Sequence, residues 1–354
     1  MKMRVLILTP TALPEISGNA MTAERWRRGL REAGWEVLVQ QTRGLPGSRL
    51  ANVLSVFRPD LIHVHHAYFG GRGLFDPEVR RHGEEIPLVL SPGGTDFNED
   101  LKVADRRETI AAVLRKARRI IVQNGAFRQQ VEEAFPEYAR LIAFVPKTVC
   151  WMGEDVFDLR AAAGCFSEEI LFFFPAGIRP VKGQVECLRG LEKVFRTRPE
   201  ARTVFAGAAL NREYAGIFFR EVGVRQGFAR WIPPVQPQAM RSAYGGADVV
   251  LNASFSEGLS NVLLEAAAAG KPVLASRIPG NIEPVLGSPG DAPAGLLYDA
   301  ADSNDFLEKA LALIDDRTLR ARLGAAGKSR VFAGIGPARE ARRLIEVYEE
   351  ALGR

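Results

Sequence analysis

The sequence predicts an α/β protein made of two doubly wound, Rossmann-like domains facing each other across a cleft. Three observations carry this expectation. Short apolar runs of strand length alternate with amphipathic stretches of helix length, the pattern of parallel sheets covered on both faces. The alternation restarts after about residue 150, and 354 residues suffice for two domains of ordinary size. A glycine-bearing loop such as Gly177–Gly183 follows an apolar run, and in open α/β sheets ligands sit at the carboxyl ends of the strands.

In the first half, Arg4–Leu8, Glu36–Gln40, Leu61–Val64, Pro87–Leu90 and Ile120–Gln123 read as buried parallel strands. Each is too short for a helix and is bounded by turn residues. Thr22–Ala33 and Arg107–Ala117 read as helices, the first ended by Gly34. Between residues 145 and 164, Pro146, Trp151 and Gly153 break any regular period and mark a boundary. The second half begins with Ile170–Phe174, then Ala201–Phe205, Asp248–Leu251 and Pro272–Ala275, with helices between. The tail Pro337–Gly353 reads as a helix with proline at its start. The expected organisation is a first domain over 1–150, a second over 165–336 and a terminal helix over 337–354.

Composition narrows the function. With 47% hydrophobic and 25% charged residues the chain is globular rather than disordered. Its net charge of +5 suits anionic substrates or a weak peripheral contact with an anionic membrane, and is too small to argue for nucleic acid. Three cysteines without metal-like spacing give no disulfide framework, so a reducing cytoplasm is expected. Four histidines without a Cys/His cluster make a structural zinc site an unwarranted reading. The apolar start Val5–Leu8 is cut short by Pro10 and reads as a strand, not a leader or a membrane span.

The chemistry concentrates in Ser256-Glu257-Gly258-Leu259-Ser260-Asn261-Val262-Leu263-Leu264-Glu265-Ala266. A helix start is positive through its unpaired N–H groups and suits a diphosphate. Carboxylates beside such an anion are better matched to sugar and ribose hydroxyls. Diphosphate plus two hydroxyl-bearing rings describes a nucleotide sugar. The bland alternative, a Glu pair serving capping and solubility, fits the local sequence as well. Upstream, Ile178-Arg179-Pro180-Val181-Lys182-Gly183 follows a strand and carries two cations. Arginine grips phosphate oxygens in a fork and lysine acts as a point charge. By itself that pair reads more simply as solvated loop cations; its place at a strand end, with the acidic pair downstream, favours a phosphate role.

These motifs, continued by Gly270-Lys-Pro-Val and Gly280-Asn281-x-Glu283, resemble the retaining glycosyltransferases of family 4, which have the GT-B fold. The resemblance implies a hexosyltransferase using a nucleotide-diphosphate sugar, most often a UDP-sugar, with no cofactor and no required metal. It places Arg179 and Lys182 on the donor diphosphate, Glu257 on the transferred sugar and Glu265 on the ribose hydroxyls. The backbone at Gly258, Leu259 and Ser260 would meet the sugar–phosphate end. It also implies that the terminal helix crosses back over the first domain. Two departures stand out: the Arg-to-Lys spacing is shorter than usual, and Val145-Pro146-Lys147-Thr148 replaces a usual Pro-Asn-Gly. Gly18-Asn19-x-x-Thr22-Ala23-x-Arg25-Trp26 and Ala275-Ser276-Arg277-Ile278-x-Gly280-Asn281 look like a closer branch, the selenosugar synthases; other poorly characterised family 4 members are similar too.

On the acceptor side, Ser17-Gly18-Asn19-Ala20 follows the first strand, and the resemblance brings Gly18 close to the donor phosphate. No G-x-G-x-x-G follows that strand, which argues against a dinucleotide site. Asp60-Leu-Ile-His63-Val-His65-His66 puts three histidines at a strand end, with His63 and His65 on one face. A lone strand histidine is ordinarily a hydrogen-bonded, half-buried residue. The resemblance selects His65 as the one near the sugar and acceptor. Gly93-Gly94-Thr95-Asp96 follows another strand; Asp96 is expected either to touch the acceptor or to cap a helix or turn. The basic stretches Arg25–Arg31 and Arg115–Arg119 read as solvated helix faces, a membrane surface being the lesser reading.

The expected reaction is transfer with retention to an unidentified acceptor, small and anionic by analogy with the closer branch. With both carboxylates committed to hydroxyls, no enzymic nucleophile is evident, and a same-face reaction is expected in which the leaving phosphate takes the acceptor proton. Two other classes remain open from sequence: a nucleotide-sugar epimerase, which would turn over donor alone, and a binding protein that keeps the pocket without catalysis.

Overall fold

The computed structural model describes residues 2–334 and 336–354. Among them, twelve strands form two six-stranded sheets, every pairing parallel. The first sheet contains β1 (Arg4–Thr9), β2 (Glu36–Gln41), β3 (Leu61–His65), β4 (Leu88–Ser91), β5 (Ala117–Val122) and β6 (Ile142–Phe144), in the order β2-β1-β3-β4-β5-β6. The second contains β7 (Ile170–Pro175), β8 (Ala201–Ala206), β9 (Ala229–Ile232), β10 (Val249–Asn252), β11 (Val273–Ser276) and β12 (Gly295–Tyr298), in the order β12-β11-β10-β7-β8-β9. Strand direction reverses its march at β1/β3 in the first sheet and at β7/β10 in the second. Those are the switch points where such sheets open a crevice for ligands.

Parallel strands covered on both faces read as unbroken apolar runs, and alternate residues feed opposite layers. On β1, Leu6 and Leu8 enter one core layer while Val5 and Ile7 enter the other. On β7, Phe172 and Phe174 face one layer and Leu171 and Phe173 the other. Three strands escape the apolar-run signal: β6, β9 and β12. All three are short sheet edges; β9 carries Arg230 and β12 opens on Gly295, while β6 is apolar but only three residues long.

The chain divides into two compact units. The first holds the first sheet and the final helix, Pro337–Leu352; the second spans Val149–Gly334. The segment 149–164, expected to be connector, therefore belongs to the second unit. Asp158 caps the helix Leu159–Ala163 by accepting from the Ala161 N–H at 2.9 Å, and Leu159 and Ala163 are buried in the second core.

The final helix is part of the first unit's core. Leu344, Val347, Tyr348 and Ala351 pack with Trp26 and Leu30 of the helix Gly18–Glu32 and with Val5, Ile7 and Ile121 of the sheet. At its start, Glu340 accepts from Arg25 Nε (2.8 Å) and Nη2 (3.1 Å), from Trp26 Nε1 (3.0 Å) and from the Thr148 hydroxyl. Arg25 and Glu340 are only 6% and 2% exposed, so this ion pair is satisfied entirely by protein groups. The same helix explains why β5 begins before the apolar run, at Ala117. Arg118 donates to the Ala351 carbonyl at 2.9 Å and Arg119 pairs with Glu350 at 2.9 Å.

Candidate functional site

Two loops leave the second sheet at its switch point, one after β7 and one after β10. After β7, Pro180–Lys182 forms a single 3₁₀ turn with Arg179 as its first flanking residue. Arg179 stands before the turn in extended backbone and Lys182 ends it, so both cations border this one loop. Gly183 ends it at φ 63°, and a Cβ there would lie 2.4 Å from the Ala253 carbonyl oxygen. The Phe255 N–H donates to the Val181 carbonyl at 2.8 Å, tying the two loops together.

Glu257, on the second loop, is ion-paired with the Lys182 ammonium and accepts from the Ser254 hydroxyl at 2.7 Å. Burial alone would raise its carboxyl. The Lys182 charge and hydrogen bond, the Ser254 hydroxyl and the Arg179 charge override burial and hold it below its ordinary value. Glu257 is therefore a carboxylate at neutral pH. Arg179 Nε is buried without a partner, leaving a donor of the guanidinium unused beside that pair.

Beneath the loop lies a buried polar network. Asn252 donates to Ser260 Oγ at 2.9 Å and accepts from the Ser254 N–H at 3.1 Å. Ser276 donates to the Ser254 carbonyl at 2.6 Å, and Asn281 donates to the Ser276 carbonyl at 3.0 Å. Networks of this kind restrict the backbone they tie together; one member, Asn281 Oδ1, is buried without a partner. Gly280 seals the loop's other side: a Cβ there would stand 2.4 Å from the Glu257 carbonyl oxygen and 2.9 Å from that of Gly258. Gly258, Leu259 and Ser260 lead into the helix Asn261–Ala268, whose preceding Ser260 makes no side-chain cap. On that helix Glu265 accepts from the Tyr244 hydroxyl at 2.8 Å. Burial, reinforced by the Glu265 charge, pushes the Tyr244 phenol well above its ordinary value, so it remains a donor. The structure thus brings Arg179, Lys182, Glu257, Gly258, Leu259, Ser260 and Glu265 to two adjoining strand ends and the helix that follows one of them.

In the first unit, Gly18 opens the helix Gly18–Glu32 after the loop 10–17 that leaves β1, and Ser17 caps that helix by accepting from the Ala20 N–H at 3.1 Å. The three histidines separate by role. His63 shares hydrogen bonds with the Tyr348 hydroxyl (2.6 Å) and Ser91 Oγ (2.7 Å) and stacks on Trp26. His66 accepts from the Phe69 N–H at 3.2 Å and pairs with Thr95 Oγ1 at 3.0 Å, holding a left-handed φ of 74°. His65 packs edge-on against Trp26, hydrogen-bonds the Ser91 backbone, and keeps its Nδ1 buried without a partner. Burial, then the nearby His63, His66 and Lys147, pulls its titration well below the ordinary histidine value. His65 is a neutral ring with one unused nitrogen.

Asp96 is fully buried. Its Oδ2 accepts from the Ala67 (2.6 Å) and Gly93 (3.0 Å) N–H groups and its Oδ1 from that of Phe97 (3.0 Å). Burial raises its carboxyl to about 7 against these donors. It braces the turn after β3 against the loop after β4, the capping alternative of the two open from sequence. Sequence reading missed Tyr244, Ser254, Asn252 and the Glu340 cluster. Each acts from a different element, so no local spacing exposes it; only the isolated polar residues inside apolar runs, Asn252 and Ser276, offered a signal. Among the described residues, no group of three His, Cys, Asp or Glu side chains is arranged to hold a metal, and no helix is long and apolar enough to cross a membrane.

Comparison with known proteins finds relatives in sequence and in fold. Residues 155–330 match the family model described as glycosyl transferases group 1. The chain is 27% identical over 343 residues to a D-inositol 3-phosphate glycosyltransferase of Nocardia farcinica, covering 90% of this chain and 70% of that protein. It is 24% identical to glycosyltransferase 1 domain-containing protein 1 of Xenopus tropicalis, covering 92% of each. In fold it is similar to a sucrose-phosphate synthase from Thermosynechococcus elongatus, with TM-score 0.78, 16% identity and full coverage of both chains. It is also similar to Anabaena HepE in complex with UDP-glucose, with TM-score 0.76 and 17% identity, covering 98% of this chain and all of the other. The fold class is α/β, with two Rossmann-like domains of the GT-B kind.

Proposed function

We propose that this enzyme, a glycosyltransferase with a group 1 domain, moves a sugar from a UDP-sugar to a small anionic acceptor with retention at the anomeric carbon. One observation carries the reading. The unused Arg179 guanidinium donor, the Lys182–Glu257 pair and the start of the helix Asn261–Ala268 gather at the β7/β10 switch point. Cations and a positive helix end there match a diphosphate, while the Glu257 and Glu265 carboxylates match hydroxyls on the transferred sugar and the ribose. The solved HepE complexes, with UDP and with UDP-glucose, support the choice of donor.

In this reaction the bond from the anomeric carbon to the diphosphate oxygen breaks. The bond from that carbon to the acceptor oxygen forms on the same face, and the acceptor proton passes to the departing phosphate. Arg179 and Lys182 offset the charge that develops on that phosphate. Glu257 holds the Lys182 ammonium in place before the donor arrives and orients the sugar hydroxyls afterwards. The neutral His65 accepts a hydroxyl hydrogen bond through Nδ1. No metal is needed in this scheme, because side-chain cations and a helix start supply the positive charge.

A thermal-shift panel of nucleotide-diphosphate sugars, with and without magnesium, tests the proposal. A ligand at 100 times its Kd stabilises the folded state by about 2.7 kcal/mol, which raises Tm by several degrees. A UDP-sugar is expected to do this without magnesium. Arg179→Ala is expected to lower the transfer rate on the order of 100- to 1000-fold. No shift with any donor, or full activity in Arg179→Ala, overturns the reading.

A further inference from the structure

Glu265 stands on the helix Asn261–Ala268 with a long, half-buried side chain, and a glutamate left to itself spreads over several rotamers. A residue from another element restrains it. The Tyr244 hydroxyl, on the helix Met240–Gly246, donates to Glu265 Oε2 at 2.8 Å. Hydrogen bonds to a carboxylate are stronger than those between neutral groups, and they hold a direction. Burial, reinforced by the Glu265 charge, keeps the phenol protonated, so this bond has one polarity.

Tyr244 is itself held in place. It is 0% exposed, and its ring meets Phe173 of β7 edge-on at 5.5 Å and Trp151 at 5.9 Å. Its helix and the turn before it are laced to the segment 153–157. The Asp155 N–H donates to the Gln238 carbonyl at 3.1 Å, and the Phe157 N–H donates to Ser242 Oγ at 3.0 Å. A Cβ on Gly153 would stand 2.8 Å from that of Gln238, so the two stretches are in close contact. Side chains packed to this density keep one rotamer on the time average.

A buried tyrosine needs a partner for its hydroxyl, and for stability alone any acceptor would serve. The asymmetry of this pair argues for more. The phenol is fully buried, while the carboxylate keeps part of its surface in solvent on the helix that leaves the β10 loop. A rigid donor inside the core thus fixes an acceptor that a ligand can still reach.

We infer that Tyr244 is a positioning residue for the donor: it fixes the Glu265 carboxylate for the ribose hydroxyls and so makes the site prefer ribonucleotides to deoxyribonucleotides. The inference rests on the nucleotide-sugar reading above. An acceptor set before the ligand arrives loses no rotamer freedom on binding. A nucleotide lacking a ribose hydroxyl leaves that carboxylate desolvated and unpaired, the situation in which a polar site rejects an analogue most strongly. Trp151 acts only through Tyr244, by packing on its ring.

Calorimetric titration of the full chain with UDP, 2′-deoxy-UDP and 3′-deoxy-UDP tests this in the unaltered protein and in Tyr244→Phe, which keeps the ring and removes only the hydroxyl. The unaltered chain is expected to bind UDP on the order of 10- to 100-fold more tightly than at least one deoxy analogue. In Tyr244→Phe that preference is expected to shrink to about 3-fold or less, with UDP weakened and the deoxy analogue nearly unchanged. With a UDP-sugar, KM is expected to rise while kcat holds, because the ribose contact is the same in ground and transition states. Glu265→Ala is expected to lose the preference too, and adding Tyr244→Phe to it is expected to change the preference no further. A Tyr244→Phe variant that keeps the full preference, or that weakens all three nucleotides equally as a merely structural role would, overturns the inference. So does an unaltered chain that binds all three alike. Each of those outcomes leaves UDP binding in place, whereas an unaltered chain that binds no nucleotide overturns the donor reading itself.

Discussion

Replacing Gly280 with alanine tests whether the β10 loop is a fixed template. Gly280 is buried beside the loop, and its added methyl would stand 2.4 Å from the Glu257 carbonyl oxygen and 2.9 Å from that of Gly258. Ordinary contact begins at 3.4 Å, so one side must give by roughly 1 Å. Both obstructing atoms are backbone, and no flexible side chain can absorb the overlap. The loop is held from beneath by Asn252, Ser254 and Ser276, and Gly280 itself starts a helix against β11. The displacement therefore passes to Glu257 and the residues that open the helix Asn261–Ala268. Overpacking of this kind costs about 1–3 kcal/mol, partly offset by about 0.4–1 kcal/mol from the stiffer unfolded chain. A misplacement of about 1 Å at a reacting group lowers the rate on the order of 100-fold. Urea unfolding should show the modest stability loss, and transfer from a UDP-sugar should show the much larger loss of rate. A variant with unchanged stability and unchanged transfer would refute the idea that this loop is held rigidly by its packing.

Two further outcomes concern the first unit. Glu340→Ala strands the buried Arg25 guanidinium and the Trp26 N–H, and should destabilise that unit by about 3–5 kcal/mol in denaturant titration; a loss below about 1 kcal/mol would mean that water replaces the carboxylate. Burial lowers His63 from 6.5 to about 3, so its contribution to stability is complete above pH 6.5 and is lost as pH falls toward 3, at about 1.4 kcal/mol per pH unit. The acid limb of urea midpoints should accordingly be shallower in His63→Gln, and an unchanged slope would remove His63 from the account.

Much of this arrangement was legible in the residue order. The interior strands of both sheets announced themselves as apolar runs because parallel strands are buried on both faces. The edge strands β6, β9 and β12 did not: Arg230 and Gly295 interrupt β9 and β12, and β6 spans only three residues. The residues proposed for the donor could be gathered from sequence because their loops follow neighbouring strands, and strand ends share one side of a parallel sheet. Their supports could not. Tyr244 reaches Glu265 across 21 positions, and Glu340 reaches Arg25 across 315, distances over which no periodicity speaks. The final helix reads from its own residues only as a helix; the family resemblance implied that it crosses back over the first domain, and the packing of Tyr348 against His63 and Trp35 shows it in the first core.

The short step from Arg179 to Lys182 looks like a defect in sequence and is resolved by local geometry. Two residues lie between the cations, and a single 3₁₀ turn spans them, with Arg179 in extended backbone before it and Lys182 at its end. Pro180 fixes φ at the turn's first position, and Gly183 supplies the left-handed exit that lets the following helix begin at once. The approach of Gly183 to the Ala253 carbonyl then pins this turn to the β10 loop, which carries Glu257. Lys182 thus reaches Glu257 because the turn is short, and a longer insertion would have to leave the 3₁₀ path and lose that pairing. The same constraint leaves the Arg179 guanidinium nitrogen buried without a protein partner, since Glu257 is already engaged by Lys182. A buried donor of that kind is costly unless a ligand satisfies it, which is the demand that the proposed donor diphosphate would meet.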